Sequence, residues 1–226
     1  GEILAGSGLA VNLTAALDNS GGVLYTRQGD MTLSAQSLFN DAGGLILQQG
    51  SGQMQLTLDT LHNSGEIGAG TVLAVTAQQL TNSGLIQATN VELAAQQLRN
   101  SGNVLGDNLL LSANQLNNTD GTIAALASDS VLQINAAELN NQRGLIQSHG
   151  NTLQLNTVLN NQQGDVVLLG NGTLNISALA NNQQGRILSE GAVALAGVVN
   201  NNQGIVQAAT DLQITGTDIS NIAGVI

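Results

Sequence analysis

Aliphatic residues recur along this chain at a fixed position after glycine. Twelve glycines, from Gly1 to Gly224, are spaced 18 to 23 residues apart, and the second residue after each is Ile, Leu or Val. These aliphatic residues are Ile3, Leu24, Ile46, Ile67, Ile86, Val104, Ile123, Ile146, Val166, Ile187, Val206 and Ile226. The residue directly after each glycine is mixed and includes charged side chains. An alternation with a period of two predicts a short β-strand with one buried face.

A second alternating segment follows the first in most repeats. Its aliphatic pairs are Met31/Leu33, Leu73/Val75, Val91/Leu93, Leu109/Leu111, Leu132/Ile134, Leu153/Leu155, Leu174/Ile176, Val193/Leu195 and Leu212/Ile214. A lone aliphatic residue comes next, as Leu38, Leu80, Leu98, Leu116, Leu139, Leu159, Val199 or Ile219. We therefore expect two or three short strands per repeat, separated by turns. The period of two and the β-branched residues disfavour helix.

The repeat length determines how these strands must pack. Twelve anchors over 223 residues give about 20 residues per repeat, and a unit of this size cannot bury its own apolar face. Stacked repeats can bury it, each forming one coil paired with the coils above and below. The pattern predicts an all-β, right-handed parallel β-helix of about 11 coils over a single domain, residues 1–226. With strands roughly 4.8 Å apart, the rod is about 50 Å long.

Asparagine forms a second column at the turn. Every anchor glycine after the first follows an Asn by two to four residues. We assign Asn19, Asn40, Asn63, Asn82, Asn100, Asn118, Asn141, Asn161, Asn182, Asn202 and Asn221 to this column. Asparagine tolerates the left-handed backbone of a sharp corner. Its amide both donates and accepts, so the column predicts a hydrogen-bonded ladder along the stack; turn preference without a ladder is the alternative.

Composition limits which side chains can form the core and which classes of partner the chain can bind. The chain is 42% hydrophobic, but Tyr25 and Phe39 are its only aromatic residues, so the core must consist of aliphatic side chains. There are 15 acidic residues, four Arg and no Lys, and the net charge is -11. This balance excludes the basic surface that nucleic acid or an anionic membrane requires. Without cysteine there is no disulfide framework, and no apolar run or leader pattern indicates a membrane span or signal peptide.

The repeat pattern Leu-x-Asn-x-x-Gly-x-Ile, followed by Leu-x-Leu and another Leu, resembles the haemagglutinin repeats of filamentous haemagglutinin-like exoproteins. The best copies are LNNQRGLIQSHGNTLQLNTV at 139–158 and LNNQQGDVVLLGNGTLNISA at 159–178. The family comprises adhesins and contact-dependent growth inhibition toxins of Gram-negative two-partner secretion systems. The resemblance implies a β-helical filament, exported through an outer-membrane transporter and displayed on the bacterial surface or secreted.

Two landmarks of that family have no counterpart in the sequence. The chain contains no Pro and hence no Asn-Pro motif of a secretion domain, and it has no non-repetitive C-terminal segment. Both ends also lie within repeats, so we expect an uncapped fragment of a much longer filament. The resemblance implies a shaft that presents a distal adhesive or toxin-delivering region to other cells. It implies no catalytic residue and no cofactor.

Candidate chemistry is sparse. His62 and His149 lie several repeats apart without clustered carboxylates, so we expect exposed turn histidines and no metal site. Ser20, Ser64, Ser83 and Ser101 lack an activating partner and are interpreted as turn residues. Arg27, Arg99, Arg143 and Arg186 occupy different repeat positions, and no paired carboxylates suit a glycosidase. The prediction is a protein that is not an enzyme, with a β-helical polysaccharide lyase as a distant alternative.

An adhesive surface on this segment is the nearer alternative. Two irregular repeats carry QQGSGQMQ at 48–55 and AALASDS at 124–130, either of which could form a surface loop that contacts a receptor or glycan. Sequons at Asn12, Asn117, Asn171 and Asn175 could accept glycan.

Overall fold

The computed structural model describes residues 1–226 and consists of β-strands alone, joined by parallel pairing into a β-solenoid of about 11 turns with about 20 residues per turn. The strands are β1 Glu2–Ala5, β2 Leu9–Asn12, β3 Ala16–Asp18, β4 Val23–Thr26, β5 Met31–Asn40, β6 Leu45–Gln48, β7 Gln53–Asn63, β8 Glu66–Ala69, β9 Val72–Asn82, β10 Leu85–Asn100, β11 Asn103–Asn117, β12 Thr122–Ala125, β13 Val131–Asn140, β14 Leu145–Ser148, β15 Thr152–Asn160, β16 Asp165–Leu168, β17 Thr173–Asn181, β18 Arg186–Ser189, β19 Ala192–Asn200, β20 Ile205–Ala208 and β21 Leu212–Ser220. The predicted parallel β-helix is confirmed. No helix is long and apolar enough to cross a membrane.

Most coils contain one short strand and one long strand. Strand β14, for example, has four residues and pairs in register with β16, while β15 has nine residues and pairs with β17. Two of the expected two or three strands are present in most coils, and the second is long instead of short, because the lone aliphatic residue belongs to the same continuous strand. In the middle of the rod, β10 and β11 run for 16 and 15 residues without a break.

The long strand bends where small side chains point inward. Ala35 and Ala77 are buried, and Ala95 and Ala113 pack against the core. Strands β10 and β11 pair up to Ala95 and Ala113, one residue of each strand is then unpaired, and pairing resumes at Gln97 and Gln115. Alanine permits the two limbs of the strand to approach each other without a turn, so the bend leaves no Gly or Pro signal in the sequence.

The aliphatic columns form the core. Leu24 pairs with Ile46, Ile46 with Ile67 and Ile67 with Ile86, and all four are buried. Forty-three buried residues belong to one hydrophobic cluster. Only the end coils leave the column open, where Ile3 is 48% exposed and Ile226 is 45% exposed. Each interior coil therefore depends on both neighbours for its burial, as expected of a stacked repeat.

Candidate functional site

A side-chain ladder runs along one corner of the whole solenoid. In each link of the ladder, the Nδ2 atom of one asparagine donates a hydrogen bond to the Oδ1 atom of the asparagine in the next coil. The ten links join Asn19, Asn40, Asn63, Asn82, Asn100, Asn118, Asn141, Asn161, Asn182, Asn201 and Asn221, with every nitrogen–oxygen distance at 2.7 or 2.8 Å. We call these eleven residues the asparagine ladder. The predicted ladder is confirmed, with ten of its eleven residues as assigned.

The interior ladder amides, from Asn40 to Asn201, are satisfied although they are buried. Asn100 is 2% exposed. Its Nδ2 donates a 2.7 Å hydrogen bond to Asn118 Oδ1 and a 3.1 Å hydrogen bond to the carbonyl of Thr122 in the next coil. Its own Oδ1 accepts from Asn82 Nδ2. Both amide hydrogens and the amide oxygen are thus used, which removes the cost of burying an unpaired polar group. All the links donate in the same direction along the rod.

One member of the predicted column is wrong. Asn201, and not Asn202, occupies the ladder, while Asn202 is partly exposed and its Oδ1 accepts from Ser220 Oγ at 2.9 Å. Three consecutive asparagines, 200–202, made the assignment ambiguous. The signal was nevertheless present, because most ladder residues stand three positions before their glycine and Asn201 stands three before Gly204.

Two kinds of turn follow all ladder residues except Asn40. Where Gly stands three positions after Asn, the glycine N–H donates to the asparagine carbonyl, as Gly144 does to Asn141 at 3.1 Å. The residue before that glycine has a positive φ, 54° at Arg143 and 57° at Gln163. This is the geometry of a type II β-turn. The Asn-Ser-Gly turns, such as Asn100–Gly102, are one residue shorter and need no left-handed residue.

The anchor glycines are required for space. A Cβ atom on Gly102 would overlap the carbonyl oxygen of Gly84, and one on Gly84 would overlap that of Gly65. None of these three glycines has a positive φ. Successive coils therefore contact each other backbone to backbone at this corner, which no other side chain permits.

A second polar corner lies between the short and long strands, and the sequence analysis missed it. Here Ser130 Oγ lies 3.2 Å from Ser148 Oγ and accepts a 2.8 Å hydrogen bond from the N–H of Gly150. Glycine again stacks on backbone, since a Cβ on Gly150 would overlap Ser130. Thr26 is buried in the equivalent column, and its Oγ1 has no hydrogen-bond partner. The fourth residue of each short strand, often Ser or Ala, carries the signal that identifies this column.

Two of the four arginines form ion pairs between coils. Arg143 Nε lies 2.7 Å from Asp120 Oδ1, and Arg186 Nη2 lies 2.6 Å from Asp165 Oδ2. The Arg143 guanidinium lowers the pKa of Asp120 through its hydrogen bond, and Asp120 raises the pKa of Arg143 in the same way. Both pairs are predictable, since each joins residues at equal offsets from their anchor glycines. All four side chains are partly exposed, so each pair contributes little to the free energy of unfolding.

The two candidate histidines lie in coils far apart in the stack. The expectation of exposed turn histidines is wrong, because both side chains are partly buried. His62 also lies within β7, with its ring stacked on Phe39 at a centroid distance of 5.3 Å, and only His149 lies outside a strand. A ring nitrogen of His149 lies 2.6 Å from the amide nitrogen of Gln147. The four serines are exposed and lie in the turns, as interpreted: Ser20, Ser64, Ser83 and Ser101. No group of three or more His, Asp or Glu side chains is placed to hold a metal ion.

The predicted loops are smaller than expected. Segment 48–55 has only residues 49–52 outside strands, and Gln53 already pairs with Val72. Segment 124–130 has residues 126–130 outside strands, with Leu126 47% exposed at their start. Of the sequon asparagines, Asn12, Asn117 and Asn171 are exposed and Asn175 is partly exposed, and none belongs to the ladder.

The remaining arginines have no ion-pair partner. Arg27 and Arg99 form no salt bridge in this structure. Arg27 lies at the second corner, and Arg99 lies on the outer side of β10.

A surface depression crosses the outer side of the short strands. It has a volume of about 480 Å³ and lies between Leu47 on one side and Leu105 and Leu126 on the other. The depression exists because Gly68 occupies an outward position that carries a larger side chain in the neighbouring coils. Glu66 lies at its edge and accepts a 2.8 Å hydrogen bond from Gln87 Nε2.

No protein-family model, no curated protein and no solved structure matches the chain.

Proposed function

We propose that this chain is a shaft segment of a secreted, surface-displayed filamentous exoprotein, which holds a distal adhesive or toxin-delivering region away from the bacterial surface. The observation that carries the proposal is the unbroken asparagine ladder, whose ten links run from Asn19 to Asn221 without an inserted domain. A rod in which every coil repeats the same buried contacts is suited to span a distance without bending.

The proposed mechanism is mechanical. Backbone pairing between coils accounts for most of the 166 backbone hydrogen bonds, and the aliphatic cluster of 43 residues excludes water along the axis. Bending the rod would separate coils on one side and break both kinds of contact there. The resemblance to haemagglutinin repeats supports the placement of such a rod on a bacterial surface.

Export through an outer-membrane two-partner secretion transporter belongs to the same proposal. A chain without cysteine can pass through a pore unfolded, because no disulfide holds it compact. Folding then adds one coil at a time on the preceding coil, since each interior coil is buried by its neighbours. We propose no cofactor and no catalytic role for this segment.

Single-molecule stretching between the two termini tests the shaft role. We expect stepwise unfolding, with each released coil of about 20 residues adding roughly 65–70 Å of contour length. The matched variant is Asn100→Ala, which should lower the force of the first steps, with Asn171→Ala as control. A chain that extends smoothly under low force would contradict the role of a stiff shaft.

The second candidate function is direct adhesion by this segment, which the exposed Leu126 beside the depression favours. Flow cytometry of the labelled chain on bacterial and epithelial cells separates the two functions. The shaft proposal predicts no saturable binding by the isolated chain. Saturable binding that Leu126→Ser abolishes, while Leu110→Ser does not, would favour adhesion.

A further inference from the structure

One outer face of the solenoid is unusually apolar. It consists of the first and third residues of the short strands and of the equivalent first segments of β10 and β11. These residues point outward, while the second and fourth residues point into the core. We call it the short-strand face. Ten of its 20 positions between Val23 and Gln207 are large apolar residues, and six of these are Tyr25, Leu47, Leu85, Leu105, Leu145 and Leu188. All ten are partly exposed.

The adjacent outer face shows what a solvated face of this protein looks like. The outward positions of the first limb of the long strand, from Thr32 to Thr215, carry Thr, Ser, Asn, Gln and Ala almost throughout. Leu110 is the one large apolar residue among those 20 positions. We call this the polar face. Because both faces belong to the same coils, the apolar character of the short-strand face is not a requirement of the fold.

The short-strand face also carries little net charge. Between Val23 and Gln207 its charged residues are Glu66, Asp165 and Arg186, and the last two neutralise each other in an ion pair. Two copies of a chain with a net charge of -11 repel each other. Repulsion is weakest at the short-strand face, where Glu66 is the one carboxylate that no ion pair neutralises.

The size of the face suits a second copy of the chain. Ten rungs spaced about 4.8 Å apart and two columns of side chains cover roughly 45 by 13 Å, or about 600 Å². Two such faces bury about 1,200 Å² together, at the lower limit for a specific interface and in the range of reversible complexes. Two sheets pack face to face about 10 Å apart with interdigitating side chains, as in a β-sandwich.

From these observations we infer that the short-strand face is a self-association surface, on which a second copy of this chain packs with the same face. A large apolar side chain of the second copy would occupy the 480 Å³ depression above Gly68, between Leu47 and Leu105. The inference goes beyond the shaft proposal, since a rod functions as a shaft whether or not it pairs laterally.

Sedimentation velocity over a range of concentrations tests this inference. We expect the wild-type chain to form dimers with a micromolar dissociation constant that decreases as salt rises, because salt screens the repulsion between two copies. Leu85→Gln and Leu145→Gln should each raise that constant at least tenfold. Leu110→Gln on the polar face is the matched control and should leave it unchanged, with circular dichroism verifying the fold of each variant.

Cysteine cross-linking locates the contact. The chain has no cysteine, so Leu105→Cys and Leu110→Cys each introduce a single thiol. Oxidation should trap a dimer through residue 105 and not through residue 110. A wild-type chain that stays monomeric at all concentrations would overturn the inference. So would association that Leu85→Gln and Leu110→Gln weaken equally, or open-ended growth through the coil ends with no effect of either variant.

Discussion

Asn82 Nδ2 donates a 2.7 Å hydrogen bond to Asn100 Oδ1, and Asn100 Nδ2 donates an equal bond to Asn118 Oδ1. Each of these residues is 2% exposed or less. Because every interior amide depends on the amide before it and the one after it, the loss of one member affects three coils. The ladder therefore couples neighbouring coils through side chains as well as through the backbone.

Removing one ladder residue should be costly. In Asn100→Ala, the Nδ2 of Asn82 loses its side-chain acceptor and the Oδ1 of Asn118 loses its donor, and both remain buried. At about 1–3 kcal/mol for each of the two unsatisfied groups, the free energy of unfolding should fall by about 2–6 kcal/mol. Urea denaturation followed by circular dichroism measures it.

The matched control for this prediction is Asn171→Ala. Asn171 is exposed and lies outside the ladder, so its replacement should change the free energy of unfolding by less than about 0.5 kcal/mol. Equal effects of the two substitutions would show that the ladder contributes nothing beyond turn preference.

Glycine has two separate roles at the asparagine corner, and substitution should distinguish them. Gly43 has a φ of 76° and open space around its Cβ position, so Gly43→Ala should cost only the strain of a left-handed alanine, about 1–2 kcal/mol. Gly102→Ala places a methyl group into the carbonyl of Gly84 and should cost more than that, because two coils must separate. Thermal unfolding of both variants gives the comparison, and a larger loss for Gly43→Ala would contradict it.

The left-handed turn residues offer a stabilising substitution. Ala42 has a φ of 50°, a region that glycine occupies without strain. We expect Ala42→Gly to raise the free energy of unfolding by up to about 1 kcal/mol. The control Ala74→Gly, within strand β9, should lower it by about 0.5–1 kcal/mol. Chemical denaturation of the two variants should therefore give shifts of opposite sign.

The Asp120–Arg143 pair predicts a pH effect of known sign. The hydrogen bond from Arg143 lowers the pKa of Asp120 in the folded chain relative to the unfolded chain. The pair therefore contributes to stability at neutral pH and loses that contribution as the pH falls through the folded-state pKa of Asp120. In Arg143→Gln, NMR titration of the Asp120 carboxyl carbon should give a higher pKa than in the wild type. Arg186→Gln should leave that titration unchanged; an equal shift in both variants would contradict the assignment.

The repeating part of the fold was predictable because its cause is local. An aliphatic residue two positions after glycine must face the core in every coil, and Ile46, Ile67 and Ile86 do so. The ladder was predictable for the same reason. Asn202 was misassigned because register within a run of three asparagines depends on the turn that follows, which composition alone does not specify.

Features that arise between coils were harder to predict. The bend at Ala95 and Ala113 has no turn residues, since the strand continues through it. Stacking of His62 on Phe39 requires the pairing of β5 with β7, in which those two residues are partners. Segment 48–55 was expected as a surface loop because its repeat is irregular, but Gly52 stacks closely on the backbone of Gly29, so the segment does not protrude.

The most direct test of the stacked rod is a pair of distances in solution. Because the chain has no cysteine, spin labels can be attached in two double variants on the polar face, Ser34→Cys/Asn156→Cys and Thr32→Cys/Gln213→Cys. These positions are separated by six and nine rungs, so double electron–electron resonance should give about 29 Å and about 43 Å between backbone sites. Distances in the ratio of the rung numbers would support a straight parallel stack of coils. Two similar distances, or a longer pair no farther apart than the shorter, would contradict it.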